Sequence, residues 1–284
     1  MKTRILVLFT RTPLHVGAGS SVGAVDQPVI RERHTGFPVI PGSAVKGVLR
    51  DYADRDAEGL NQEVETLFGL EGSTGNENNT ARAGALGFGE ARLLAFPLRS
   101  AKGSFALATC PLALSRYVRD GELPLDVPNI GDEGCLAGDS IKLGGNKVAL
   151  EEYVFAAKGG FPGEWAGHLS TLLDDAVLRE AKDRMVLLSD GDFSHFTLNA
   201  CQVQHHNRID PDTGTVVDKA LFNTETVPSE ALFYAPITAL RPERGDNALF
   251  RHLEEKERLL QFGGDGTTGL GFCAVRLAKE DEPS

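Results

Sequence analysis

The sequence has no C-x-x-C pair, and its four cysteines, Cys110, Cys135, Cys201 and Cys273, are scattered over 284 residues. That spacing offers neither a zinc site nor a disulfide framework and points to buried free thiols. No apolar run approaches the roughly 20 residues needed to cross a bilayer. The short run Ile5 to Phe9 behind Lys2 and Arg4 ends at Thr10-Arg11, too soon for a secretory signal, so the chain is expected in the cytoplasm. Also missing are G-x-x-x-x-G-K-[ST], G-x-S-x-G and H-E-x-x-H, which argues against a P-loop, a hydrolase nucleophile elbow and a helical zinc peptidase site. There is no internal repeat. Basic excess is lacking too: 29 Lys and Arg face 40 Asp and Glu, a formal net charge of -11. A nucleic-acid binder normally presents basic surface, so such a role here has to rest on cations gathered locally.

What is abundant is glycine, 32 residues, well above the roughly 7% usual usage. Tight turns and close backbone approaches follow from it. Ile5 to Phe9 reads as a buried opening strand, followed by a loop-rich stretch from Thr10 to Pro41. Val45, Val48, Leu49 and Tyr52 then mark one face of a helix that starts after Pro41-Gly42, with Ser43 as its cap, and frays near Asp54. Strands are expected within Gly84 to Arg99 and Phe105 to Cys110, a helix from Glu164 to Asp183, and a strand over Met185 to Leu188. Strand-like runs from Phe196 to Leu240 flank the turn residues Asp210-Pro211-Asp212-Thr213-Gly214, which predicts a projecting hairpin. A helix over Asp246 to Phe262, a glycine loop and a strand over Phe272 to Leu277 complete the order. Strand, helix, strands, helix, strand suggests an α+β chain with a ferredoxin-like core.

Four groups of residues can carry chemistry. The loop Gly263 to Gly271 holds a literal G-x-G-x-x-G at Gly264, Gly266 and Gly269, but the dinucleotide fingerprint needs a strand before it and a helix after it, and the expected order here is helix then strand. Its amides and the hydroxyls of Thr267 and Thr268 still suit an anion such as an RNA backbone, or the glycines simply fit a turn between helix and sheet. Ser43, Lys46 and Arg50 share a face of the first helix, as a phosphate grip or as ordinary solvated residues. Between Thr12 and His34 the chain gathers His15, Asp26, Arg31, Glu32, Arg33 and His34 among glycines. RNA cleavage needs a base for the 2′-hydroxyl, charge stabilisation on phosphate and an acid for the leaving oxygen, and His15 and Asp26 offer those groups. Asp26 is equally suited to hold a divalent cation with the RNA supplying other ligands, and both residues are equally at home in turns and caps. Asp190-Gly191-Asp192 with His195 and the pair His205-His206 are weaker clusters, the former read as turn formers.

Three blocks carry a resemblance. They are Thr12-Pro13-Leu14-His15-Val16-Gly17 through Asp26-Gln27-Pro28, Arg31 to Ser43 and Lys46-Gly47-Val48-Leu49-Arg50; Leu187 to Asp190, Asp192 to Phe196, Asn207 to Asp210 and Thr213 to Val216; and the glycine loop Gly263 to Gly271. Together they resemble the RAMP superfamily, and within it the repeated backbone subunit of type III-B CRISPR RNA-guided effector complexes. The resemblance implies one RAMP domain over 1–284 with an RRM-like core, insertions at about 54–83 and 121–150, and a hairpin thumb at about 201–226. It also implies a filament of copies along a CRISPR guide RNA beside other RAMP subunits, and metal-dependent cleavage of paired single-stranded target RNA at regular intervals that leaves a cyclic phosphate. On that basis Asp26 carries the chemistry and a divalent cation, Mg2+ or Mn2+, with His15 and, on a looser alignment, Glu225 in support. Ser43, Lys46, Arg50, Arg31, Arg33, Gly264, Gly266, Thr267, Thr268 and Gly269 become RNA contacts. Two other roles remain open at this point: an RNA-binding scaffold that does not cut, and a metal-independent processing endonuclease with His15 as its base.

Overall fold

The computed structural model describes residues 2–19, 24–55, 60–70, 81–131, 133–217, 220–241, 250, 253–254 and 256–278. The first half runs β1 (Thr3–Thr10), β2 (Val39–Ile40), α1 (Gly42–Arg55), α2 (Val64–Phe68), β3 (Gly69–Leu70), β4 (Arg82–Ala83), β5 (Leu86–Phe88), β6 (Ala91–Arg99), β7 (Phe105–Thr109) and α3 (Pro111–Gly121). The second half adds β8 (Cys135–Ala137), β9 (Lys147–Leu150), β10 (Tyr153–Gly159), α4 (Gly163–Thr171), α5 (Ala176–Glu180), β11 (Met185–Leu187) and α6 (Asp190–Asn199). Then come β12 (Gln202–His206), β13 (Phe222–Thr226), β14 (Leu232–Ala239), β15 (Arg258–Gln261) and β16 (Phe272–Leu277).

One large mixed sheet dominates, in the order β15-β16-β1-β14-β6-β7-β11-β8-β10-β9, with β2 paired to β6 and β5 to β14. β1 lies antiparallel between β14 and β16, while β11 pairs with β7 in parallel. The two-residue period of β1 explains its central place. Leu6 and Leu8 enter one core with Val45, Leu49 and Ala53 of α1, whereas Ile5, Val7 and Phe9 enter a second with Tyr117 of α3 and Trp165 and Leu169 of α4. Burying each large apolar side chain contributes about 1.5–3 kcal/mol, so a strand buried on both faces is a firm mount for the loop that leaves it at Thr10. Among the described residues no helix is long and apolar enough to cross a membrane.

Several local expectations change. α1 starts one residue before Ser43: the Pro41 carbonyl accepts from the amides of Ala44 and Val45, so Ser43 sits exposed inside the first turn rather than capping it. The helix expected over Glu164 to Asp183 is broken, because the Asp175 carboxylate accepts from the amides of Val177 and Leu178 and starts α5 afresh. Asp190-Gly191-Asp192 is no turn but the start of α6, with Ser189 capping the Asp192 amide and Asp190 accepting from the Leu112 amide at the start of α3. α3 itself, opened by Pro111 in its first turn, had no counterpart in the sequence reading. Of the helix expected over Asp246 to Phe262, residues 246–249, 251, 252 and 255 lie outside the described residues, and Arg258–Gln261 is a strand. Of the insertion expected at about 54–83, residues 56–59 and 71–80 lie outside the described residues, and Arg82 opens β4. Cys110, Cys135 and Cys273 are buried free thiols, and Cys201 is half-buried.

β12 and β13 form a separate two-stranded hairpin, in register from Gln202 opposite Thr226 to His206 opposite Phe222. Beyond them Ile209 bridges Val216, and the Asp210 carboxylate caps the amides of Asp212 and Thr213, the turn that the sequence calls for. Val203, Ile209, Val216 and Leu221 stay exposed along this arm.

Candidate functional site

The long loop after β1 is not loose. Residues 24–29 lie along β13 as a short parallel strip, with Gln27 bridging Thr224. The Asp26 amide donates to Asn223 Oδ1 at 2.7 Å, and the Asn223 amide donates to Asp26 Oδ2 at 2.9 Å. The Gln27 amide donates to the Asn223 carbonyl at 3.1 Å, the Glu225 amide to the Gln27 carbonyl at 2.9 Å, and the Thr224 hydroxyl to Gln27 Oε1 at 2.8 Å. Asp26 is exposed, one carboxylate oxygen is held by the strand, and Oδ1 has no partner among the described residues.

Below the strip sits a charged strut. The buried carboxylate of Glu225 accepts from the Val29 amide at 2.9 Å and from Arg31 Nη2 at 2.5 Å. Arg31 Nη1 also donates to the carbonyls of Gly36 and Thr197, and Nη2 to the Cys201 sulfur. Burial pushes the Cys201 thiol up to about 11, with Arg31 pulling the other way. His15, only 8% exposed, donates from Nδ1 to the Glu225 carbonyl at 2.7 Å, which leaves Nε2 as the acceptor of the neutral ring, facing Gly17. Of His15, Asp26 and Glu225, Asp26 alone faces solvent.

The turn that carries Arg31 is fixed on its other side by residues the sequence did not single out. Arg116 of α3 grips both oxygens of Glu32 at 3.1 and 2.9 Å, and Ser194 of α6 donates to the Thr35 carbonyl at 2.6 Å. Consecutive residues Arg31 and Glu32 therefore anchor the turn toward β13 and toward α3. Only tertiary packing reveals this.

The glycine loop joins β15 to β16, so it follows a strand and enters a strand. With no helix behind it, the dinucleotide reading is excluded by topology. Gly263, Asp265, Gly269 and Gly271 all take positive φ, and a side chain at Gly263 would run into the His15 carbonyl. The Gly264 amide donates to that carbonyl at 2.9 Å and the Gly271 amide to the Pro13 carbonyl at 2.8 Å, so this loop is clipped onto residues 13–15. From inside, the Gln261 side-chain amide donates toward the carbonyls of Phe262, Gly263, Gly264 and Leu270 at 3.1–3.4 Å. Gln261 was not legible as a site residue. Thr268 donates its hydroxyl back to the Asp265 carbonyl, whereas Thr267 is exposed and Gly266 opens a 3-10 turn.

Among the other expected contacts, Arg33 is exposed and Lys46 half-buried, and neither makes an ion pair or hydrogen bond among the described residues. Arg50 donates to the Gly69 carbonyl at 3.3 Å and lies 4.0 Å from Asp54. Arg31 is turned inward, so its charge serves the strut rather than the surface. Among the described residues no three His, Cys, Asp or Glu side chains gather as a metal cage. A magnesium ion commonly takes one or two carboxylates and completes its shell with waters and substrate phosphates, and Asp26 Oδ1 fits that arrangement.

The RAMP superfamily profile matches residues 8–274. The Cmr endoribonuclease Cmr4 of the CRISPR system of Pyrococcus furiosus is 34% identical over 289 residues, covering 98% of this chain and 96% of that protein. The crystal structure of oligomeric Cmr4 from Pyrococcus furiosus superposes with a TM-score of 0.73 at 30% identity, covering 98% of each chain. A chain of the type III-B Cmr-beta complex bound to cognate target RNA shares the fold at a TM-score of 0.74 and 18% identity, over 98% of this chain and 97% of that one. Sequence profile, full-length identity and superposition agree that this chain belongs to the RAMP superfamily.

Proposed function

We propose that this chain is a guide-RNA-binding backbone subunit of a type III-B CRISPR effector complex and an endoribonuclease that cuts the paired target RNA. In this reading copies of the chain line up as a filament on a CRISPR guide RNA with other RAMP subunits, and single-stranded target RNA is cut at regular intervals. Full-length similarity to a protein named as an endoribonuclease and crystallised as an oligomer supports it. The antiparallel order β16-β1-β14-β6 is what a ferredoxin-like or RRM-like core requires. The chain is then one RAMP domain, with the β12–β13 hairpin as the thumb that interrupts guide–target pairing.

The observation that carries the chemistry is Asp26, exposed, with one oxygen held by β13 and the other unpartnered among the described residues. In the cleavage the target 2′-hydroxyl attacks the adjacent phosphorus: the P–O2′ bond forms as the hydroxyl gives its proton to solvent, the P–O5′ bond breaks as the departing 5′-oxygen takes a proton from solvent, and a cyclic phosphate remains. A divalent cation, Mg2+ or Mn2+, held by Asp26 and RNA phosphate oxygens would supply charge neutralisation there. Buried His15 and Glu225 are positioning residues: His15 joins β13 to the glycine loop, and Glu225 fixes Arg31 and Val29. Of the cations expected to contact RNA, Lys46 and Arg33 have no ion pair among the described residues and are left for RNA phosphates, with Ser43 and Arg50 beside Lys46 on α1. In the glycine loop the Gly266 and Thr267 amides and the Thr267 hydroxyl, which have no partner among the described residues, are the donors for the RNA backbone, while Gly264, Thr268 and Gly269 use their amides to hold the loop that shapes this contact. Local cations answer the acidic net charge, since many copies on one strand multiply modest affinity.

The test is target cleavage by the assembled complex carrying Asp26→Asn, with the unmodified complex run in Mg2+ and in EDTA. Guide and target binding should persist while the spaced cuts vanish, and EDTA should stop the unmodified complex. Cuts that survive the substitution would make the chain a scaffold.

A further inference from the structure

We infer that Asn223 is the positioning residue that aims the Asp26 carboxylate, an inference that rests on the cleavage role proposed above for Asp26. Asn223 meets the Asp26 segment four times. Its Oδ1 accepts the Asp26 amide at 2.7 Å, its Nδ2 donates to the Ala24 carbonyl at 3.3 Å, its own amide donates to Asp26 Oδ2 at 2.9 Å, and its carbonyl accepts the Gln27 amide at 3.1 Å. Two of these four depend on the side chain. The geometry resembles a reciprocal cap: backbone of one residue to carboxylate of the other, and backbone of that other to the first side chain.

The consequence is directional. The Asn223 side chain holds the backbone of residues 24–26 against β13, where the main-chain amide of residue 223 reaches Oδ2 and fixes the rotamer of an exposed aspartate that would otherwise sample several staggered wells. Oδ1 is then presented in one direction, with no partner among the described residues. An amide is the suitable chemistry at position 223 because it accepts from Asp26 and donates to Ala24 at once, which neither a hydroxyl of serine length nor a carboxylate can do in the same place. Asparagine is also neutral, so it orients Asp26 without disfavouring its ionised form. Asn223 touches no reacting atom in this arrangement, and it acts through Asp26.

The experiment uses the assembled complex on guide RNA with Asn223→Ala, Asn223→Asp and Asp26→Asn, reading single-turnover cleavage at saturating target, target Kd and the pH dependence of the rate in Mg2+. Removing a partner that orients a ligand typically costs about 10- to 100-fold in activity. Asn223→Ala should therefore slow cleavage about 10- to 100-fold with target Kd and assembly unchanged. Asn223→Asp keeps an acceptor for the Asp26 amide and places a like charge beside Asp26, so it should recover part of the rate and move the acidic limb of the profile to higher pH. A full rate in Asn223→Ala beside an inactive Asp26→Asn overturns the positioning role and leaves the cleavage role of Asp26 standing. Equal losses of target binding and rate in Asn223→Ala also overturn it, because they mark a merely structural contact. An active Asp26→Asn complex removes the reading underneath, whatever Asn223→Ala does.

Discussion

The strip that carries Asp26 and the glycine loop lie on either side of His15 and are held in opposite ways. Residues 24–29 are held from outside, by β13 and by a buried Glu225–Arg31 pair beneath them. The glycine loop is held from within, by one amide, Gln261, inserted among its carbonyls, and is then clipped to residues 13–15 by two backbone bonds. A segment mounted on a strand can keep a functional side chain exposed and aimed. A loop wound around its own peg instead uses most of its amides to hold itself and leaves those of Gly266 and Thr267 without a partner among the described residues. The first arrangement suits a residue that reacts, the second a surface that binds an anion.

Breaking the strut should have the largest effect. Glu225→Ala leaves the Arg31 guanidinium half-buried without its acid and orphans the Val29 amide, a loss expected at about 3–5 kcal/mol, to be read from denaturant unfolding of the isolated chain. A cost below about 1 kcal/mol would mean that the strip does not depend on the strut. Pulling the peg comes second. Gln261→Ala strands carbonyls inside the glycine loop, with an expected cost of about 1–3 kcal/mol; guide-RNA affinity should fall while Asp26-dependent cutting of bound target persists. Cleavage lost together with affinity would merge the two regions into one.

The smallest effect is alkaline. Burial pushes Cys201 under the strip up to about 11 and Cys273 beside the glycine loop up to about 12, from an ordinary 9.0. Between the unfolded and folded values the native chain binds more protons than the unfolded one, so stability falls as pH rises. The loss starts near the ordinary thiol range and runs through about 11 at Cys201 and about 12 at Cys273. Thermal melts against pH should show the decline, and Cys201→Ser should make it shallower between about 9 and about 11, while Cys135, Cys273 and Cys110, also raised by burial, keep the rest.

Much of this comparison was written locally in the sequence, and its wiring was not. The run Ile5 to Phe9 and the face of α1 were legible because a single period sets each of them, and Asp210 to Gly214 because turn chemistry is local. Asp190-Gly191-Asp192 misled because the same residues that make turns also open helices, and Ser189 decided between them by capping. β15 was missed because Leu259 and Leu260 suit either period and only pairing with β16 chose the strand. At the site, His15, Asp26 and the glycines stood out by density in one glycine-rich stretch. Asn223, Gln261 and Arg116 did not, since an amide or an arginine has no visible role until a partner far along the chain is brought to it.

The most direct measurement is target-RNA cleavage by the assembled complex with Asp26→Asn, a near-isosteric change that keeps the amide bond to Asn223. Intact guide and target binding with loss of the regularly spaced cuts is the expected result. Unchanged cuts from a correctly assembled complex would contradict the central claim that Asp26 carries the reaction.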